Sequence, residues 1–190
     1  MLREIFDNKR IQYIVFFIFI AAIIGGSVYC AMLGDNEFSS VKEYFTSYIN
    51  SSINKEALLK NALISNISLG IIIMICGMFK AGAFIAPAAV FREGFNTGFC
   101  IAGLCRCFGF SGAVIGGASQ LHLMLFIPLM VITVSLSIKI CFDFKENQKN
   151  FKIFFVFFQI FMITIFCGFA FFQTYVNTIF MKFAIVKLIK

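Results

Sequence analysis

The sequence predicts an all-α fold: a polytopic membrane helix bundle of about five transmembrane spans, with an outer amphipathic helix between spans one and two. Three observations predict it. Of the 190 residues, 61% are hydrophobic and 13% charged, where soluble domains average about 45–50% and 25%, and the mean hydropathy is +0.94. Uncharged apolar runs of membrane-spanning length recur along the chain, and Lys and Arg collect in the segments between them. Such a chain has too little polar surface to cover a water-exposed globule. A soluble enzyme, a disordered tail and a nucleic-acid-binding arm are excluded, so the expected partner is the lipid bilayer and not a nucleic acid. With 28 Phe, 5 Tyr and no Trp, any interfacial aromatic belt is built from Tyr and Phe.

Residues 1–10 form a short amino terminus ending in Lys9-Arg10. The run 11–33 is the first span: it is too long for a signal-peptide core and no Ala-x-Ala site follows it. Residues 34–60 are polar enough to lie outside the bilayer. Within them Val41, Tyr44, Phe45, Tyr48 and Ile49 recur at the i, i+3, i+4, i+7, i+8 spacing of one helix face. Ser40 and Glu43 have capping-box spacing, so the helix is expected to start at Ser40. That face can dock a partner, lie on the bilayer, or fold back onto the rim of its own bundle.

The remaining spans fall in 61–178, and a basic tail occupies 179–190. The second span is expected over Ala62–Phe79, closed by Lys80. The stretch Ala81–Phe91 contains Pro87 and is too short to cross alone. It therefore reads as broken or re-entrant, with Arg92 and Glu93 at an inner turn and a third span starting at Gly94. The fourth span is Leu121–Ile140 and the fifth Ile153 to about Tyr175. With the amino terminus in the cytoplasm, Lys80, Arg92 and the Lys139–Lys152 loop lie inside, as the positive-inside rule requires. Lys182, Lys187 and Lys190 then face outward unless the tail lies along the interface, so the tail's side stays open.

Two stripes of small residues at four-residue intervals, Gly94, Gly98, Ala102 and Gly109, Ala113, Gly117, predict close helix–helix seams. These seams can lie within the chain or between copies in a homo-oligomer. Catalytic and metal chemistry find little to build on. His122 is the single histidine, and no Cys-x-x-Cys pair occurs among seven Cys, so neither a zinc site nor a two-histidine metalloprotease helix can form. Ser111 and Ser119 lack a nucleophile turn. No catalytic, cofactor-binding or metal-ligating residue is assigned. Isolated Asn, Ser, Thr and Gln inside the spans, among them Asn66, Ser65 and Gln173, form no coherent acidic or basic path. An interior so poor in charge favours a scaffold over an enzyme or pump. A small transporter, or one membrane subunit of a permease, is the alternative.

Four stretches together carry a family resemblance. They are Lys60–Asn66 at the start of span two, the run Phe91-Arg92-Glu93-Gly94-Phe95-Asn96-Thr97-Gly98-Phe99, the apolar Leu121–Pro128, and Phe172–Thr178. In this order they resemble the stage II sporulation protein M family, over about residues 60–178. The family pattern has an acidic residue where this chain has Gln173, and a proline near Thr178 that is absent here. The resemblance implies a non-catalytic protein of the cell membrane in endospore formers. Such a protein recruits or holds the peptidoglycan hydrolases, stage II sporulation proteins D and P, during engulfment of the forespore.

Overall fold

The computed structural model describes residues 9–50, 54–142 and 149–188. Residues 143–148 of the expected Lys139–Lys152 loop, the start of the amino terminus and the last two residues of the tail lie outside the described residues. The elements are α1 (Lys9–Met32), α2 (Asp35–Asn50), α3 (Lys55–Cys76), α4 (Gly82–Ser119), α5 (Leu123–Phe142) and α6 (Lys149–Phe171). A π-helical segment, Phe172–Asn177, then leads into α7 (Thr178–Leu188). Five helical stretches are long and apolar enough to cross a membrane: α1, α3, α4, α5 and the nearly continuous Ile153–Val186. The all-α polytopic bundle is as the sequence predicts.

α1 starts at the basic pair that the sequence places before it. α3 starts earlier than the apolar run, at Lys55, because Asn54 caps it: its Oδ1 accepts from the amides of Glu56 at 3.1 Å and Ala57 at 3.2 Å. These bonds satisfy helix-start donors that lack intrahelical partners. The amphipathic helix α2 likewise starts before the expected cap, at Asp35, so Ser40 and Glu43 lie inside it.

The largest departure is α4. The stretch Ala81–Phe91 is not a separate re-entrant piece. Helix runs from Gly82 through Pro87 and past Arg92 and Glu93 without a break until Gly109. Pro87, the sixth residue of this helix, takes from the Ala83 carbonyl the amide donor it would otherwise accept from, yet does not end the helix. The break comes at Gly109, whose φ of 60° and ψ of −137° fit only glycine well. There the chain folds back, and residues 110–119 return alongside 100–108. A Cβ at Gly112 would strike the carbonyl of Leu104, and one at Gly116 would lie 3.4 Å from Ile101. The re-entrant element therefore follows the third span instead of preceding it.

Seams fix the directions of the helices. Gly94 sits against Phe19 and Ala22, Gly98 against Ile23, and a Cβ on Gly103 would lie 3.6 Å from the Cys30 Sγ, so α1 and the first arm of α4 run parallel. α3 and α6 run antiparallel, with Gly77 against Phe155, Gly70 against Ile163, and the Asn66 amide donating to the Phe166 carbonyl at 3.1 Å. α5 runs parallel to α3: Ser137 donates to the Ile73 carbonyl at 3.2 Å, and Cys141 to those of Cys76 and Phe79 at 3.2 and 3.1 Å. One end of the bundle thus collects Lys9, Arg10, the Lys80 turn and the end of α5. The opposite end carries α2 and α7. The tail continues the fifth spanning helix at that end, with Met181 and Ala184 packed near Phe45, Leu104 and Ile115.

Candidate functional site

A cavity of about 380 Å³ opens between α3 and α4. α3 contributes Leu58, Asn61, Ala62, Ser65 and Asn66; α4 contributes Glu93, Asn96, Thr97 and Cys100. The return of the chain after Gly109 brings Gln120 and His122 to the same place, and the π-helical segment adds Gln173. Leu123 and Phe126 close it on the apolar side; Phe126 is 3% exposed, and its ring lies 4.9 Å from that of Phe166. Gly94, next to Glu93, packs on Phe19 near the middle of α1, so the carboxylate lies at membrane depth.

Two further hollows adjoin this one. The first, of about 260 Å³, continues past Gln120 and Gln173 to Ser119, Asn177 and Met181, and is covered by Tyr44 and Phe45 of α2. The second lies between α2 and α4 beside Asn96 and Phe99. Cys100 lines all three.

A buried hydrogen-bond set holds the turn between the returning arm and α5. The Asn177 amide donates to the Ser119 carbonyl at 2.7 Å and contacts His122 Nδ1 at 2.8 Å. Because a carbonyl only accepts, the Asn177 atom is Nδ2. Its second hydrogen then meets a bare Nδ1, leaving His122 neutral with its proton on Nε2. Asn177 Oδ1 has no hydrogen-bond partner although the residue is 3% exposed.

Arg106 forms a second polar centre. Its guanidinium donates to the carbonyls of Cys30 at 3.2 Å and Leu33 at 2.8 Å, and to the Asp35 carboxylate at 3.0 Å. It also lies 4.0 Å from the centroid of the Phe38 ring. It thereby satisfies free carbonyls at the end of α1 and fixes the start of α2.

The residues singled out in the sequence fare unevenly. Gly94 and Gly98 form the α1 seam as expected, and Ala102 is half-buried on the same helix. The second stripe is displaced. Gly109 is the hinge, Gly117 meets nothing within 4 Å, Ala113 is half-buried, and Gly112 with Gly116 make the contact instead. Arg92 and Glu93 are not at an inner turn: they lie within α4, Arg92 exposed and Glu93 half-buried at the cavity. On α2, Phe45 is buried against the bundle's own Leu104 and Ile115 with Val41 beside it. Tyr44 is 66% exposed, and the side chains of Tyr48 and Ile49 lie outside the described residues. This face therefore folds back onto its own bundle, at least through Phe45. All seven cysteines are free. Among the described residues no three His, Cys, Asp or Glu side chains come together.

The sequence missed the cavity, although a signal was present. Asn61 and Ser65, Glu93 and Thr97, and Gln173 and Asn177 are each four residues apart, a polar stripe on each of three helices. The idea of a bundle interior almost without chemistry is corrected accordingly.

The fold defines a multi-pass membrane helix protein by the length and apolarity of its helices. No family model, curated protein or solved structure matches the chain.

Proposed function

We propose that this chain is a non-catalytic scaffold of the cell membrane, of the type its sequence resembles: the stage II sporulation protein M family. In this reading it holds the peptidoglycan hydrolases, stage II sporulation proteins D and P, at the septum during forespore engulfment. The observation that supports it is convergence. All four stretches that bear the resemblance, from Lys60 to Thr178, contribute side chains to one cavity: Asn61 and Asn66, Glu93 and Asn96, His122 and Phe126, and Gln173. The amino terminus is cytoplasmic in this reading, because the Lys9, Arg10 and Lys80 end carries the basic bias, and α2 and α7 face the cell exterior.

Co-purification with the two hydrolases and the engulfment phenotype of a deletion strain test the reading together. Normal engulfment with no association rejects it. The cavity favours a second reading, a small transporter or permease subunit, since polar side chains at membrane depth commonly mark solute or ion paths. Movement of a solute into vesicles holding only the purified chain would establish that reading.

A further inference from the structure

We propose that the cavity between α3 and α4 binds an organic ammonium group, with Glu93 as its counter-ion. The proposal concerns binding alone, and stands whether the chain scaffolds partners or moves a solute.

Charge comes first. Glu93 is the one ionisable acid in the lining, and no Lys or Arg lines the cavity. Its neighbour Arg92 is exposed. The ion pair formed among the described residues is Arg106–Asp35, so Glu93 has none there. A carboxylate at membrane depth calls for a positive partner or a proton, and a partner from outside the chain can supply the charge.

The neutral lining suits the same ligand. An ammonium carries three donors and no acceptor. Asn61, Asn96, Gln120 and Gln173 share the lining with Glu93, and each side-chain amide carries an acceptor oxygen. Asn177 lines the adjoining hollow. His122 is neutral and adds no repelling charge. Leu123 and Phe126 offer an apolar wall for an alkyl stem, and the Phe126 ring a face that attracts cations. A volume of about 380 Å³ falls in the usual range of small-ligand sites, roughly 300–1,000 Å³. Asn61, Ser65 and Asn96 are exposed at the mouth, so the ammonium can come from a free amine or from an aminophospholipid headgroup.

Cys100 provides the readout, because it lines the cavity and both adjoining hollows. The full chain in phosphatidylcholine nanodiscs is treated with cationic 2-aminoethyl or anionic 2-sulfonatoethyl methanethiosulfonate. Modification at Cys100 is followed by peptide mass spectrometry and normalised to N-acetylcysteine. The expected result is a preference for the cationic reagent of about tenfold or more, from field focusing in the cleft. E93Q should abolish the preference and E93D should keep it, which separates loss of charge from loss of fold. Ethanolamine should protect Cys100 if the source is a free amine; protection only with phosphatidylethanolamine in the disc assigns it to lipid. An unreactive Cys100, no cationic preference, an unchanged preference in E93Q, or equal protection by glycerol would each overturn the proposal.

Discussion

The Arg106 guanidinium of the third span donates at 2.8 Å to the carbonyl of Leu33, just past the end of the first. Because the same group reaches Cys30 and Asp35, one side chain joins α1, α2 and α4. Asp35 is fully exposed, so its ion pair is screened by water and adds little. The carbonyl contacts are the part that matters. R106A should lose about 1.5–3 kcal/mol, the usual worth of charged hydrogen bonds, while D35N should leave thermal unfolding in detergent nearly unchanged. Equal effects of the two substitutions would place the stabilisation in the ion pair.

The α1–α4 seam depends on absent side chains. A Cβ at Gly98 would strike the backbone of Ile23, and one at Gly26 the backbone of Phe95. Since backbone cannot move aside as a flexible side chain can, G98A and G26A should each cost about 1–3 kcal/mol. Gly25 and Gly117 meet nothing within 4 Å, and G25A or G117A should be neutral or stabilising by up to about 1 kcal/mol through helix propensity. Melting temperatures of the four variants check the contrast between neighbouring glycines.

Gly109 stands apart from the other glycines because its backbone, and not its surroundings, resists a side chain. It meets nothing within 4 Å, yet its φ is positive. G109A should therefore cost about 1–3 kcal/mol of backbone strain, whereas G168A, equally free of neighbours but helical, should not. A matching loss in both variants would show that the fold-back does not depend on this conformation.

Cys105 and Cys107 are half-buried near the α2 end of the bundle, close to Arg106. An impermeant thiol reagent should label them from the same side as a tag at the carboxyl end, and from the side opposite a tag in the Lys80 turn. In intact cells the expected labelling is from outside. Reaction of these cysteines from the Lys80 side would refute a crossing of the membrane by the first arm of α4.

The sequence by itself determined the fold class, α1 almost to its ends, and the Gly94–Gly98 seam. These follow from apolar run length, flanking Lys and Arg, and small-residue spacing, all of which are local along the chain. It misplaced the start of α3, because Asn54 caps a helix whose first turns are polar, and it broke α4 at the wrong point. Pro87 and the Arg92-Glu93 pair resemble a turn when read in one dimension, while Gly109 is one of many glycines until its φ is known. Only the tertiary structure decided that residues 110–119 fold back, and the cavity depends on that return. It sets Gln120 and His122, from a turn, against Glu93, Asn61 and Gln173 from three different helices. Each polar residue alone reads as tolerable within a span. Which of them share a space is a matter of helix direction and rotation, fixed by packing between segments far apart in the chain.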